Sequence, residues 1–328
     1  GRVRRHHRCL QAWNPVADRE VLSILVKGDK VIASGRFSTL GGADAFGMGA
    51  VSVATGAPLA WPANQVVRNA GDGSSITSLS TDGTRVFGTG YNFQGGGNLE
   101  STFATDLEGN LLWVSGCHGD TYSSVPIGNV LYTVSHAHDC SYLGAWPDTK
   151  PETFQRAVAF STTAGTYGQV NLPNATAGTG SFTGRPAPEM LHWLPTLSTG
   201  SFTGQFQAAW SVTGNSDYVA LGGEFLAVNG VRQQGLTRFA AKSKAPNKEG
   251  PLVHRPARRP GRRPDDHAQG HSYRGPAADL GGGLGPGQPP AHVRSAARRH
   301  GDRQGARRLR LVGPQVGVLH RSDRHRES

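Results

Sequence analysis

The chain holds 328 residues, with 34 Lys plus Arg against 23 Asp plus Glu and a formal charge of +11. Such a surplus ordinarily points to a polyanion partner, but it sits at the two ends. Residues 1–8 carry four Arg and no acid, and residues 251–328 carry 16 Arg against six acids, which leaves 9–250 at −3. A mildly acidic body excludes nucleic acid as the expected partner, and the lack of an 18-residue apolar run excludes a membrane-spanning helix.

In chain order, residues 1–9 form an irregular basic head, and short strand-like runs follow. They are rich in Val, Ile, Thr and aromatics and are bounded by Gly, Asp and Asn, at 21–26, 30–34, 50–53, 75–80, 85–89, 101–106, 130–135, 157–161 and 218–222. No stretch keeps a helical period over three turns. One phrase returns: Gly28-Asp29-Lys30-Val31-Ile32-Ala33 is echoed at Gly83, at Gly128-Asn129-Val130-Leu131-Tyr132 and at Ser216-Asp217-Tyr218-Val219. The hairpin glycines lie 55 and 45 residues apart, and the next copy begins near Asn215, 87 further on. The early copies close on Trp13, Trp61 and Trp113. Repeats of about 50 residues built from short strands and Gly turns are the mark of propeller blades. The fold class predicted is therefore all-β, a partial β-propeller of four to five four-stranded blades over 10–241. An insertion rich in Gly, Thr, Ser and Pro spans 171–207, a Lys-rich linker spans 242–250, and 251–328 is an irregular basic tail.

The tail has a composition of its own. Arg, Pro, Gly and Ala make up 45 of its 78 residues, and it has no Phe, Ile, Trp, Lys or Met. Too little apolar surface is available there to offset chain entropy. Those four residues also use the most GC-rich codons, so the tail is expected to be an out-of-frame translation, with a genuine disordered tail as the other reading. Arg5-His6-His7-Arg8-Cys9 stands where the repeat requires a turn like Ala54-Thr55-Gly56-Ala57, so the head is read in the same way. On this logic the native molecule is expected to be longer at both ends.

Gly222-Gly223-Glu224-Phe225-Leu226-Ala227-Val228-Asn229-Gly230 with Gln233-Gln234-Gly235-Leu236-Thr237-Arg238-Phe239-Ala240 resembles the delta-60-type propeller repeats of secreted actinobacterial multidomain proteins. Ser34-Gly35-Arg36-Phe37-Ser38-Thr39-Leu40-Gly41-Gly42 is similar to the same element, with Gly-Gly in place of Asn-Gly. The resemblance covers about 10–250. It implies a propeller fold and an extracellular or cell-surface location, often alongside PKD, fibronectin type III or lectin-like domains, and it implies no particular activity.

The densest polar cluster is Cys117-His118-Gly119-Asp120 with His136-Ala137-His138-Asp139-Cys140. A two-residue Gly128-Asn129 turn makes facing positions sum to 257, which sets Cys117 opposite Cys140 and His118 opposite Asp139. A Cys117–Cys140 disulfide is expected, with two reduced core thiols as the alternative. The same rim makes His118, Asp120, His136 and His138 candidate ligands for a divalent metal such as Zn²⁺. Strand alternation weighs against a single centre, and loop hydrogen bonding around the disulfide is the alternative.

The tryptophans either stack on sugar rings or pack between neighbouring sheets, and their fixed phase favours packing. Ala104-Thr105-Asp106 with Gly109 and Trp113 resembles the docking motif of quinoprotein propellers, but the copy at Ala50 has Ser52 for Asp. Ser80-Thr81-Asp82-Gly83-Thr84 reads as a hairpin turn rather than a sialidase Asp-box. In the insertion, Glu189, His192 and Trp193 are candidate ligand-binding residues on an irregular loop, and Asn174-Ala175-Thr176 is a glycosylation sequon. Catalytic signatures are absent from the sequence: there is no Gly-x-Ser-x-Gly, His-Glu-x-x-His or Walker loop.

The function expected is a non-catalytic extracellular β-propeller module that binds or displays a glycan or protein at the cell surface. No cofactor is expected, apart from the divalent metal considered at the histidine cluster; Ser52 in place of Asp weighs against a quinone. The alternative is a quinoprotein-like dehydrogenase or a glycan-acting propeller enzyme. Inward His, Asp and Glu side chains in close contact would favour the enzyme, and an apolar plug would favour the module.

Overall fold

The computed structural model describes residues 13–93, 96–166, 168–172 and 182–245. The head at 1–9, the sequon at Asn174, linker residues 246–250 and the tail 251–328 lie outside the described residues. So do the expectations of irregularity and of a shifted frame attached to them.

The described chain is all-β, with two single-turn 3₁₀ segments at Pro62–Gln65 and Ser141–Leu143. The first sheet orders β1 (Val21–Lys27), β2 (Lys30–Gly35), β5 (Met48–Ser52) and β6 (Pro58–Leu59); a small hairpin, β3 (Thr39–Leu40) with β4 (Ala43–Asp44), leaves it between β2 and β5. The second orders β7 (Ser74–Thr81), β8 (Arg85–Asn92), β9 (Thr102–Asp106) and β10 (Leu111–Val114). The third orders β11 (Thr121–Ile127), β12 (Val130–Ala137), β13 (Gln155–Ala164) and β14 (Pro188–Leu191). The last has β15 (Ala209–Gly214), β16 (Tyr218–Gly223) and β19 (Leu236–Ala240), with the hairpin β17 (Ala227–Val228) and β18 (Val231–Arg232) beside it. All pairings are antiparallel, and successive first strands lie side by side: β1 by β7, β7 by β11, β11 by β15.

The nine strand-like runs all fall on strands. The two small hairpins occupy matching places, and both turn through positive φ, at Gly41 and Gly42 in one and at Asn229 and Gly230 in the other. Consecutive left-handed residues make the turn that suits a tight hairpin, which is why Asn-Gly and Gly-Gly exchange there. The insertion proposed at 171–207 needs correcting, because it contains β14, the fourth strand of the third sheet. Pro188 begins that strand, which donates only along one edge, so the Pro-rich sequence hid it.

Every first hairpin carries a β-bulge at the same phase, with Leu22, Thr77, Tyr122 and Trp210 as the extra residues. A serine follows each: Ser23, Ser78, Ser123 and Ser211. Ser23 Oγ accepts the Leu79 N–H at 3.1 Å, and Ser123 Oγ accepts the Val212 N–H at 3.4 Å. A hydroxyl on one sheet thus satisfies a strand N–H of the next, which would otherwise be buried unpaired.

Apolar side chains fill the joints. Ile32, Met48 and Trp61 meet Ile76, Val86 and Phe103 between the first two sheets. Phe87, Ala104, Trp113 and Leu131 join the second to the third, and Val134 and Ala157 meet Val212, Leu221 and Val219 in the next joint. Trp61 and Trp113 belong to these joints, as their phase predicts, and Trp13 packs against Ala33 and Val51 of the first sheet. Trp13 Nε1 donates to Ser52 O and Trp113 Nε1 to Thr162 O, each on the third strand of the following sheet. Trp61 lies on the turn at Gly109, where a Cβ would meet its ring at 2.6 Å. The Ala104–Trp113 segment therefore serves sheet-to-sheet docking.

A candidate binding cleft at the strand ends

The first strands all begin, and the second strands all finish, at one end of their sheets, and the matching position of each sheet carries a different side chain there. Arg36, His136 and Glu224 hold the same seat, their N–H groups donating to Glu20 O, Asp120 O and Ala208 O at 2.9, 3.0 and 2.7 Å; Tyr91, paired with Ser75, holds it in the second sheet. One residue earlier stand Gly35, Gly90, Ser135 and Gly223. A Cβ on Gly35 or Gly223 would come within 2.1 Å of a carbonyl oxygen of the facing strand, so close backbone approach restricts that position. The seat beside it is free to carry chemistry.

A cleft of about 400 Å³ opens at this end. The second sheet contributes Asn92, Phe93 and Glu100, the third Asp120, His136, His138, Glu152, Phe154 and Arg156, and the segment before β15 adds Gln205, Phe206 and Gln207. The three phenylalanines are exposed, at 69% for Phe93, 65% for Phe206 and 38% for Phe154. Phe206 reaches the cleft from a left-handed backbone, φ 54°. That conformation costs a bulky residue on the order of 1 kcal/mol or more. Glu224 holds the segment in place, accepting from Thr203 N at 2.8 Å, Thr203 Oγ1 at 2.8 Å and Gln207 N at 3.0 Å. Burial would raise the Glu224 carboxyl, but these donors outweigh it and hold the acid below its usual range.

Polar groups in the cleft form a chain. Arg156 Nη1 donates to Gln207 Oε1 at 2.6 Å, and its guanidinium lies 4.7 Å over the Phe154 ring. Gln207 Oε1 and the Tyr122 hydroxyl lie 3.2 and 3.0 Å from His136 Nδ1. Burial drives His136 down to about 4, with Arg156 adding to the effect, so the ring is neutral. Burial, and then the Glu100 charge, push Asp120 up to about 7; burial also raises Glu100 and the Tyr122 phenol. Burial lowers Arg156 from its usual high value. The cleft therefore offers aromatic faces, a donor fork, amides and a carboxyl that is still protonated near neutrality.

The Cys117–Cys140 disulfide is present, with Sγ atoms 2.08 Å and Cα atoms 4.1 Å apart. His118 faces Asp139 as read from the turn, His118 N donating to Asp139 O at 2.7 Å. The 257 register does not run unbroken, however. It holds from Ile127–Val130 to Ser123–Val134, shifts at Tyr122 to pair Thr121 with Ser135, and returns at His118. Two opposite irregularities cancel, so the disulfide is reached while His136 turns into the cleft.

The four metal candidates are not brought to one point. Asp120, His136 and His138 line the cleft, but the rings of His136 and His138 are 6.4 Å apart. His118 lies behind the rim against Tyr142, at 5.0 Å, where burial lowers its basicity. Among the described residues, ligand atoms converge instead at His138, Asp148 and Glu152, all within 4.8 Å of one another. Glu189, His192 and Trp193 do not converge either. The Glu189 carboxylate accepts from Thr166 N at 2.8 Å and from its hydroxyl, and His192 is exposed. Trp193 packs edge-on against Tyr132 and Phe239 at 4.9 and 5.4 Å, as the tryptophan of the third joint.

No protein-family model and no curated protein matches the chain. Among solved structures it is similar to the computationally designed Ika4 protein, with TM-score 0.37 and 9% identity over 68% of this chain and 92% of that one. It is also similar to the computationally designed Ika8 protein, with TM-score 0.26 and 10% identity over 67% of this chain and 71% of that one. Likenesses this distant decide neither fold family nor function.

Proposed function

We propose that the chain is a non-catalytic propeller-type module of the delta-60 repeat kind, from a secreted or cell-surface protein, and that it binds an extracellular glycan in the cleft. The observation that carries this reading is the meeting of three exposed phenylalanines with Arg156, His136, Asp120 and the amides of Gln205 and Gln207 in one cleft. Sugar rings present apolar C–H faces and a rim of hydroxyls, which aromatic faces and planar polar groups match together. The successive four-stranded sheets joined through their first strands support the propeller part, and the disulfide is compatible with an oxidising compartment.

A second reading, a glycan-acting enzyme, draws on one observation: Asp120, beside Glu100, keeps its proton to about 7, as a general acid requires. Screening the full chain on an immobilised glycan panel, with parallel assay of reducing-sugar release, tests both. Saturable binding without release is the outcome expected of the module. Release that is lost in Asp120→Asn would replace it with the enzyme, and neither binding nor release would overturn both.

A further inference from the structure

Beyond glycan recognition, the rim of the cleft carries a second kind of site. The His138 imidazole stands between two carboxylates of the segment that follows the Ser141–Leu143 turn, Nδ1 lying 3.2 Å from Glu152 Oε1 and 3.5 Å from Asp148 Oδ1. His138 Nδ1 is enclosed and makes no hydrogen bond of proper geometry with either. Three ligand atoms facing one another at such separations, without a hydrogen bond among them, match another geometry. Zinc bound at roughly 2.0–2.1 Å by nitrogen and oxygen in a tetrahedron sets its ligands roughly 3.3 Å apart; the two separations from His138 Nδ1, 3.2 and 3.5 Å, match that spacing, and all three ligand atoms lie within 4.8 Å of one another.

We propose that His138 Nδ1, Asp148 and Glu152 bind a divalent cation of the zinc class, with its remaining position open to the cleft. A nitrogen donor with two carboxylates suits such a borderline cation better than Ca²⁺ or Mg²⁺, which take all-oxygen sets. Two anionic ligands and a neutral ring balance the charge of a divalent ion. The donors are held independently of it. His138 N donates to His118 O at 2.9 Å beside the Cys117–Cys140 bond, and Asp148 Oδ1 accepts Thr149 N at 3.0 Å. His138 and Glu152 both line the cleft, so the open position faces whatever enters it.

The chain has 13 histidines, several of them in its head and tail, so zinc uptake alone does not identify the site. The experiment is a Zn²⁺ titration of the chelator-stripped full chain by calorimetry, repeated on His138→Gln and Asp148→Asn. The imidazole signals are followed by NMR in parallel. The expected result is one class of site weakened by roughly tenfold or more in both variants, with the signal lost in His138→Gln shifting on zinc addition while that of exposed His192 does not. Asp148 is half-exposed, so its variant keeps the test sound if His138→Gln does not fold. Identical isotherms for wild type and Asp148→Asn, or a His138 signal unmoved by zinc, would overturn the proposal.

Discussion

Asp120 and His136 share the cleft and titrate in opposite senses. The folded protein raises Asp120 to about 7, so the stability contributed by its neutral form is complete below the ordinary carboxyl value and is lost as pH rises through 7. His136 is depressed to about 4, so its contribution is present above the ordinary imidazole value and is lost as pH falls through 4. Between pH 4 and 6.5 the two slopes oppose each other. Asp120→Asn should leave the histidine slope alone, so that urea midpoints rise with pH across that window. His136→Gln should leave the carboxyl slope, so that midpoints fall. Parallel pH profiles for the two variants would contradict the burial of both groups. Of the residues at the cleft, Asp120, His136 and His138 were legible in the sequence because they flank a hairpin with a readable turn. Phe93, Phe154, Arg156 and Phe206 were not, since three separate segments bring them together with no local motif.

Hairpins carried most of the legible information about elements. Gly28 and Gly128 sit at positive φ where two-residue turns need them, and the strands on either side pair antiparallel outward from the turn. The fourth strands were harder to see. β6 has two residues, and β10 and β14 have four each, too few for a period to emerge. The bulge residues and the serine after each were present in the sequence at spacings of 55, 45 and 88, a phase that follows the hairpin turns. The third hairpin shows what the bulge does, because Tyr122 shifts the register and the rim shifts it back before Cys117 meets Cys140. That bond closes a loop of sequence separation 23. Chain-entropy arguments give such a crosslink about 3 kcal/mol. Cys117→Ser is expected to lower the urea midpoint correspondingly in oxidising buffer and to match the wild type once reductant is present. Equal stability of the two in oxidising buffer would contradict the bond's role.

Across the described molecule, the sheets repeat one joint, and the two ends of the series differ. On β1, Leu22, Ile24 and Val26 face away from the second sheet, with Ile24 63% exposed, while Leu25 and Ile32 on the other face lie in the first joint. Thr213, Ala220 and Arg238 of the last sheet stand in register where Leu25, Ile32 and Ala50 stand in the first, so that outer face is more polar. Ile32→Ala should therefore cost roughly 2–5 kcal/mol, as buried aliphatic truncations do, and Ile24→Ala within about 1 kcal/mol. Comparable losses at both sites would contradict the stacking order. The same order sets the cleft at the shared strand ends of the second, third and last sheets. The most direct test of that cleft as the binding site is Phe206→Gly. Glycine accepts the φ of 54° without strain, so the folded state should keep its stability or gain up to about 1 kcal/mol. Calorimetric titration of this variant with the glycan selected on the panel should show affinity lower by roughly tenfold, about 1.4 kcal/mol, in a protein no less stable than the wild type. Unchanged affinity in a correctly folded Phe206→Gly chain would place the binding surface elsewhere.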